Sequence, residues 1–198
     1  MLMLNLFGSF FFGFIWGLIP FSYLLGRLKG VDIKKIGSGN IGATNLGRAL
    51  GLRFFIFGFL LDGLKGFLPV MLGQHLTLSP ALCGAGAIMG HIFNPFFKFK
   101  GGKGVSTTLG VTLGIVPIPF LLSISVWLIV YLASYIVSIA SLSLAIVLLI
   151  TTIFFSSVSA GEKLLIATVS LLIIFAHRAN IKRIINRTEP RTIFWEKK

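Results

Sequence analysis

The sequence predicts an all-α integral membrane protein, a single polytopic domain over residues 1–198 with seven transmembrane helices. Of its 198 residues, 56% are apolar and only 12% are charged, and the mean hydropathy is +0.97. Uncharged stretches recur at about the 20 residues that a helix needs to cross a bilayer. A soluble domain of this size could not bury so much apolar surface. Soluble, disulfide-stapled and disordered classes are therefore excluded, and the single Cys83 is expected to be a small core residue.

The basic residues predict the orientation of the helices. Lys and Arg number 18 against 5 Asp and Glu, a balance that in a soluble protein would suggest nucleic acid. Here the basic residues concentrate in three clusters between or after the apolar stretches, at 27–53, 98–103 and 178–198. The positive-inside rule places all three in the cytoplasm. We therefore expect an even number of crossings between successive clusters and no nucleic-acid partner.

The apolar stretches between these clusters give the crossings in order. The first stretch begins outside because its N-terminal flank is neutral and its C-terminal flank is basic. A Gln74-His75 turn is expected to join the second and third crossings, and Pro117, Pro119 and the polar stretch 138–143 are expected to divide the long uncharged run that follows. The predicted crossings are 4–26, 54–73, 76–97, 105–116, 120–137, 142–157 and 164–177. A six-helix alternative would export the basic tail, so we expect the N-terminus outside and the C-terminus in the cytoplasm.

The first polar segment on the expected cytoplasmic side covers 37–48. Its glycines let the backbone approach a ligand, its hydroxyl and amide side chains donate hydrogen bonds, and an arginine supplies a planar fork suited to phosphate. An ordinary connecting loop is the alternative interpretation. The candidate residues of this segment are Ser38, Gly39, Asn40, Thr44, Asn45 and Arg48.

The second segment lies just before a predicted helix and is rich in glycine and lysine. The N–H groups and positive dipole end of a helix N-terminus favour an anion there. The segment is not a Walker A loop, because Phe97 stands where that pattern needs glycine. A membrane anchor rich in turn residues is the alternative. The candidate residues are Lys100, Gly101, Gly102, Lys103 and Gly104.

The third segment covers 177–183. His177 and Asn180 are three residues apart on one helical face, an arrangement suited to acid–base chemistry or to hydrogen bonding with a substrate oxygen. A structural histidine is the alternative. Ser141, in the predicted turn 138–143, could donate to a phosphate, although capping of a helix is the simpler interpretation.

Other polar residues are assigned structural roles. Asp62 and Lys65 are expected to neutralise each other inside the membrane, His91 to pack and cap a helix, and Glu189 to pair with a neighbouring arginine. The sequence has no HExxH motif, no Cys/His cluster and no carboxylate pair, so no protein-bound metal and no cofactor are expected.

Taken together, the motifs resemble those of a known family. The stretches S-G-N-I-G-A-T-N-L-G-R at 38–48, K-G-G-K-G at 100–104 and H-R-A-N-I-K-R at 177–183, with Glu189, resemble the bacterial membrane glycerol-3-phosphate acyltransferases that use acyl phosphate. The resemblance implies transfer of a fatty acyl group to the 1-hydroxyl of glycerol 3-phosphate, giving lysophosphatidic acid and phosphate. It places the enzyme in the bacterial cytoplasmic (inner) membrane, with the two substrates and membrane lipids as partners.

That reaction suggests a role for each candidate residue. Lys103, the backbone amides of 101–104 and Arg48 would hold phosphate groups, while Ser38, Asn40 and Asn45 would position the donor. His177 and Asn180 would orient or deprotonate the acceptor hydroxyl, unless the acceptor's own phosphate serves as the base.

Two other functions share the basic inner surface. One is a membrane carrier for a small phosphorylated metabolite, and the other is a non-catalytic protein that binds anionic lipids through its Lys and Arg clusters. A carrier usually has a polar site at the membrane midplane in broken helices. In this sequence only Asp62 and Lys65 offer such a site.

Overall fold

The computed structural model describes residues 2–155 and 158–195, and within these residues the regular secondary structure is entirely helical. This part of the chain falls into two compact units. Unit 1 comprises residues 2–114 together with 194–195, and unit 2 comprises the described residues from 115 to 193.

Six helices belong to unit 1, although the last residue of the sixth begins unit 2. A short 3-10 helix, Pro95–Phe97, follows the fifth. The bounds are α1 Leu2–Gly17, α2 Phe21–Leu28, α3 Ala43–Leu50, α4 Leu52–His75, α5 Pro80–Ile92 and α6 Val105–Ile115. Four further helices form unit 2, namely α7 Pro117–Ser134, α8 Val137–Phe154, α9 Ala160–Ala176 and α10 Arg178–Ile185.

Glycines allow the helices of unit 1 to approach at backbone distance. A Cβ added to Gly13 of α1 would overlap the carbonyl oxygen of Cys83 in α5, and a Cβ on Gly110 of α6 would overlap that of Gly63 in α4. Small residues at helix contacts are typical of membrane proteins, because apolar side chains gain little by leaving lipid and close van der Waals packing must hold the helices together. Cys83 is buried in this packing, as predicted.

Four helical segments of the described chain are long and apolar enough to cross a membrane. These are Met3–Leu28, which includes the break between α1 and α2, and the helices α4, α7 and α8. The pair α9 and α10, bent by 54°, would make a fifth span. The shorter α6 has 11 residues and would extend over only about 16 Å.

The predicted turn between α4 and α5 is misplaced. Gln74 and His75 lie in the last turn of α4, and the connection occupies 76–79. Ser79 ends it, because its Oγ accepts a hydrogen bond from the N–H of Leu82 at 3.4 Å and caps α5. Neither Gln nor His stops a helix, whereas an N-cap serine followed by Pro80 at the first helical position starts one.

The second misplaced turn is the polar stretch 138–143, which lies inside α8. The chain instead breaks at Tyr135, whose φ is +56°, and the N–H of Ile136 donates to Oγ of Ser134 at 3.1 Å. Serine hydroxyls find partners within or between membrane helices, so a serine-rich stretch does not need water. A break does occur near Pro117, as predicted, but its bounds were wrong. Helix α6 ends at Ile115, Pro117 opens α7, and Pro119 lies in the first turn of α7 and not in the connection.

Candidate active site

Asn45 organises the first polar segment. Its Nδ2 group donates to the carbonyl oxygens of Ile33 at 2.7 Å, Ile36 at 3.1 Å and Asn40 at 3.0 Å. Its Oδ1 accepts from the N–H of Ser38 at 3.1 Å. The side chain is buried in α3, so one helical residue fixes the backbone of the loop before it. The sequence did not predict α3.

The other candidates of this segment surround that anchor. Ser38 is exposed, and its Oγ accepts from the N–H of Asn40 at 3.4 Å. Gly39 has φ +67°, a left-handed conformation that favours glycine. Thr44 and Arg48 lie on α3 and are both half-buried.

Within unit 1 the first and second segments come into contact. The amide nitrogen of Asn40 donates to the carbonyl oxygen of Gly101 at 3.4 Å, and its Oδ1 accepts from the N–H of Gly42 at 3.0 Å. The hydroxyl- and amide-rich loop therefore lies beside the lysine- and glycine-rich loop. Lys103 is half-buried and Lys100 is exposed in that second loop, which leads directly into α6.

The end of α5 shapes the glycine-rich loop. The N–H of Gly101 donates to the carbonyl oxygen of Ile92 at 2.9 Å, and the N–H of Gly102 donates to that of His91 at 3.1 Å. A Cβ on Gly101 would overlap the His91 carbonyl oxygen, and a Cβ on Gly102 would overlap the His91 ring. The two amides thus donate to α5, although the sequence suggested that they face a phosphate.

A buried polar cluster lies behind this loop. Lys65 Nζ is 3.1 Å from Asp62 Oδ1, and Ser22 Oγ donates to Asp62 Oδ2 at 2.6 Å. The predicted neutralising pair is therefore confirmed. His91 Nδ1 lies 4.0 Å from Asp62 Oδ1, which places the ring between the carboxylate and Gly102.

Glu189 is the centre of a second network, in unit 2. Its Oε1 accepts from Asn180 Nδ2 at 2.6 Å and from Ser138 Oγ at 2.8 Å, and its Oε2 accepts from Arg183 Nε at 2.6 Å. The predicted pairing with an arginine is confirmed. Burial raises the pKa of Glu189, but its three hydrogen-bond donors and the charge of Arg183 outweigh burial and hold that pKa below its ordinary value.

His177 joins α9 to α10 and is buried. Its Nδ1 lies 2.8 Å from the carbonyl oxygen of Ile173. Because a carbonyl oxygen only accepts, Nδ1 carries the proton, and the lone pair of the neutral ring is on Nε2. Asn180 follows in the first turn of α10. Ser141 lies inside α8, where its Oγ accepts from the Trp127 indole N–H at 3.3 Å, so it caps no helix end.

Comparison with known proteins identifies the family. The family model for glycerol-3-phosphate acyltransferase matches residues 7–187. A glycerol-3-phosphate acyltransferase of Aquifex aeolicus is 37% identical over 188 residues, covering 91% of this chain and 95% of the relative. One from Bacillus subtilis is 40% identical over 182 residues, covering 90% and 93%. This chain belongs to the glycerol-3-phosphate acyltransferase family.

Solved structures support the same assignment. The chain resembles the crystal structure of PlsY (YgiH), an integral membrane glycerol 3-phosphate acyltransferase, in its glycerol 3-phosphate form, with a TM-score of 0.86, 34% identity and coverage of 96% and 95%. For the lysophosphatidic acid form, the TM-score is 0.87, the identity 35% and the coverage 96% and 97%. These matches confirm the predicted acyltransferase class and the all-helical, multi-pass membrane fold.

Sequence reasoning missed two features of this acyltransferase. It did not connect Ser22 with Asp62, which are 40 residues apart, and it did not connect His91 with the glycine-rich loop. No local pattern announces either contact. The adjacent glycines at 101 and 102 permit a close approach of another group, and in the structure that group is His91.

Proposed function

We propose that this acyltransferase takes its acyl group from acyl phosphate and acts at the cytoplasmic face of the bacterial inner membrane. The hydroxyl oxygen at position 1 of glycerol 3-phosphate attacks the acyl carbonyl carbon, the bond from that carbon to the phosphate oxygen breaks, and the hydroxyl proton is transferred to a base. Lysophosphatidic acid and inorganic phosphate leave. The observation that carries the proposal is the contact of Asn40 with Gly101, which joins two phosphate-suited segments.

Phosphate binding falls to the cations of unit 1. Lys103 and Arg48 hold phosphate groups, Arg48 through its planar fork and Lys103 as a point charge. Lys103 stands two residues before α6 begins, where the helix dipole adds to its attraction for an anion. Lys100, Gly101, Gly102 and Gly104 shape this loop.

Positioning of the donor falls to the loop that Asn45 holds. Ser38 and Asn40 supply the hydroxyl and amide groups, and Gly39 and Thr44 complete the surface. The hydrogen bonds of Asn45 support its role in holding this loop in one conformation, which matters because fixed geometry is a large part of catalysis between two bound reactants.

The acceptor hydroxyl is oriented or deprotonated by His177, with Asn180 and Ser141 as further polar contacts. The Nε2 lone pair of a neutral His177 suits acceptance of the hydroxyl proton. Acyl phosphate is already activated and phosphate leaves readily, so charge neutralisation and proximity supply most of the acceleration. The acceptor phosphate is the alternative base.

The proposed topology has seven crossings, with the N-terminus outside and the C-terminus in the cytoplasm. Its support is the distribution of charge. Arg27 lies in the last turn of α2, while Lys98 and Lys100 follow the 3-10 helix after α5, and α10 begins with Arg178. Each of these positions lies on the cytoplasmic side in this arrangement.

A donor comparison tests the function. Purified protein in detergent is given labelled glycerol 3-phosphate with acyl phosphate, acyl-CoA or acyl carrier protein, and lysophosphatidic acid is quantified. We expect product with acyl phosphate alone. Equal or greater product with either thioester would overturn the proposed donor, and uptake of labelled glycerol 3-phosphate into sealed vesicles without donor would favour a carrier. His177→Ala should lower kcat by about 10²-fold or more if the ring takes the proton, and His75→Ala is the exposed-histidine control.

A further inference from the structure

We infer that His91 is a positioning residue for phosphate binding. Its imidazole packs against the backbone of the glycine-rich loop, residues 100–104, and the buried Asp62 and Lys65 pair lies behind the imidazole. The inference rests on the proposed function, in which Lys103 of that loop binds a substrate phosphate. His91 itself is only 5% exposed, so it acts through the loop and does not touch substrate.

One side of the His91 ring packs against the glycine-rich loop. His91 Nε2, Cε1 and Cδ2 are the three atoms that a Cβ on Gly102 would meet first. The ring therefore lies flush against the Gly102 backbone. The carbonyl of the same histidine accepts the Gly102 N–H at 3.1 Å, so one residue restrains Gly102 by its main chain and its side chain together. Lys103 is the next residue, and its direction depends on this backbone.

The opposite side of the ring faces the buried Asp62 and Lys65 pair. Nδ1 lies 4.0 Å from Oδ1 of Asp62, a carboxylate that Ser22 holds through its other oxygen at 2.6 Å. Lys65 Nζ is 3.1 Å from the same Oδ1 and donates to the carbonyl oxygen of Ile19 at 2.6 Å. Buried charges with defined partners are costly to rearrange. The cluster is therefore a rigid surface, and the ring packs against it, because 4.0 Å from Nδ1 to Oδ1 is a packing distance and too long for a hydrogen bond.

Asn94 anchors the beginning of the connection from α5 to α6. Its Nδ2 donates to the carbonyl oxygen of Leu18 at 2.7 Å, and its Oδ1 accepts from the N–H of Phe96 at 3.1 Å. The start of the connection is thus held against the break between α1 and α2. The glycine-rich loop is held against His91, which lies beside Asp62 and Lys65 of α4. The arrangement restrains backbone geometry at Gly102, where a small displacement would redirect the Lys103 side chain.

The test measures KM for each substrate, kcat and thermal unfolding for five variants. These are His91→Ala, His91→Gln, Gly102→Ala, the double variant of His91→Ala with Gly102→Ala, and Lys103→Ala. We expect Lys103→Ala to raise KM for one phosphate-bearing substrate, and His91→Ala to raise KM for the same substrate by about tenfold or more. His91→Gln should restore most of the affinity, because its amide reaches the position of Nε2.

The double variant provides a criterion that a loss of stability alone would not meet. Gly102→Ala should impair the enzyme because its methyl group collides with the ring, and removal of the ring should relieve the collision. The increase in log KM of the double variant should therefore be smaller than the sum of the increases in the two single variants. Gly8→Ala, where a Cβ meets nothing within 4 Å, and His75→Ala are matched controls that should leave KM unchanged.

The outcomes separate the inference from the proposed function. If Lys103→Ala leaves both KM values unchanged, the loop is not the phosphate site and the proposed function of the loop fails. If Lys103→Ala raises a KM while His91→Ala lowers only the unfolding temperature, the positioning role alone is overturned. Additive effects in the double variant would also overturn it. Should His91→Ala fail to fold, Gly102→Ala provides the KM comparison, and a folded Gly102→Ala protein with an unchanged KM for the substrate that Lys103 binds would overturn the positioning role.

Discussion

At the scale of single residues, the side chain of Asn45 satisfies backbone carbonyls that no regular secondary structure satisfies. Its Nδ2 group reaches three carbonyl oxygens in the loop that precedes α3. Buried backbone oxygens need partners, and a missing donor costs about 1–3 kcal/mol. Ser38 and Asn40 are proposed to bind acyl phosphate, and their geometry therefore depends on the side-chain amide of Asn45.

Asn45→Ala should lower the free energy of unfolding by about 1–3 kcal/mol and raise KM for acyl phosphate. The reason is that the loop loses the hydrogen bonds that the Asn45 side chain donates to its carbonyl oxygens. Unfolding is measured by reaction of a maleimide dye with Cys83, a free cysteine that is buried in the folded protein. Asn5→Ala is the control for loss of an exposed amide hydrogen bond, because Asn5 is exposed and its Nδ2 donates to the carbonyl oxygen of Thr77 at 3.1 Å. An Asn45→Ala protein with native stability and unchanged KM would contradict this role.

At the scale of helices, glycine placement sets how closely α1 and α5 approach. Gly13→Ala would press a methyl group into the backbone of Cys83, whereas Gly8→Ala on the same helix meets nothing within 4 Å. We expect Gly13→Ala to destabilise the protein by about 1–3 kcal/mol, the usual cost of overpacking. Gly8→Ala should be neutral or slightly stabilising, because alanine favours helix more than glycine does. Equal thermal unfolding of the two variants would contradict the packing described.

Glu189 links α8, α10 and the chain after α10 by charged hydrogen bonds. Because the folded-state pKa of Glu189 is lowered, its stabilising contribution is complete above the unfolded-state pKa, about 4.3. That contribution disappears as the pH falls through the lower folded-state pKa. Glu189→Gln should therefore reduce the free energy of unfolding by about 1.5–3 kcal/mol at pH 7, and the difference from the parent protein should shrink in acid.

The measurement is thermal unfolding from pH 7 to pH 3, followed by tryptophan fluorescence. Glu162→Gln controls for the change in net charge, because glutamine retains the capping box that Glu162 forms with Ser159. A stability difference between Glu189→Gln and the parent that persists unchanged to pH 3 would show that the carboxylate charge is not the stabilising feature.

At the scale of the whole molecule, composition and charge predicted the class of fold and the break near Pro117 but misplaced two other turns. Apolar stretches suffice to predict membrane helices, because lipid imposes a length and forbids unpaired backbone. The turn at Tyr135 was missed because it depends on one backbone dihedral angle, which no polar signal marks. Helix α3 was missed because its eight residues include polar side chains and a glycine, a composition that also suits a loop.

The candidate site shows a similar division. Residue types predicted phosphate chemistry, since glycine, lysine and amides have known uses. They did not predict that Gly101 and Gly102 pack against His91, because that contact depends on where α5 ends relative to the loop. Tertiary contacts of this kind join residues that the chain separates by helical segments, and periodicity within one segment carries no information about them.

The crossing number follows from which side of the membrane each connection lies on. α6 alone would extend over only about 16 Å, less than the ~30 Å hydrocarbon core, so its length does not establish that it crosses. Its basic flank does favour a crossing, because Lys98, Lys100 and Lys103 precede it and the next basic residue along the chain is Lys163. An odd number of crossings between Lys98 and Ser159 would place these two residues on opposite sides.

Single cysteines introduced at exposed positions test this topology. Labelling of the native Cys83 should be low, because that residue is buried. A membrane-impermeant maleimide is applied to cells whose outer membrane is permeabilised and whose inner membrane is intact. It should label cysteines at positions 3, 77 and 159, while positions 35, 98 and 187 should react only after the inner membrane is permeabilised as well. Labelling of 187 from outside would remove the seven-crossing arrangement, because the basic tail would then be exported. Labelling of 98 and 159 from one side would mean that α6, α7 and α8 cross an even number of times.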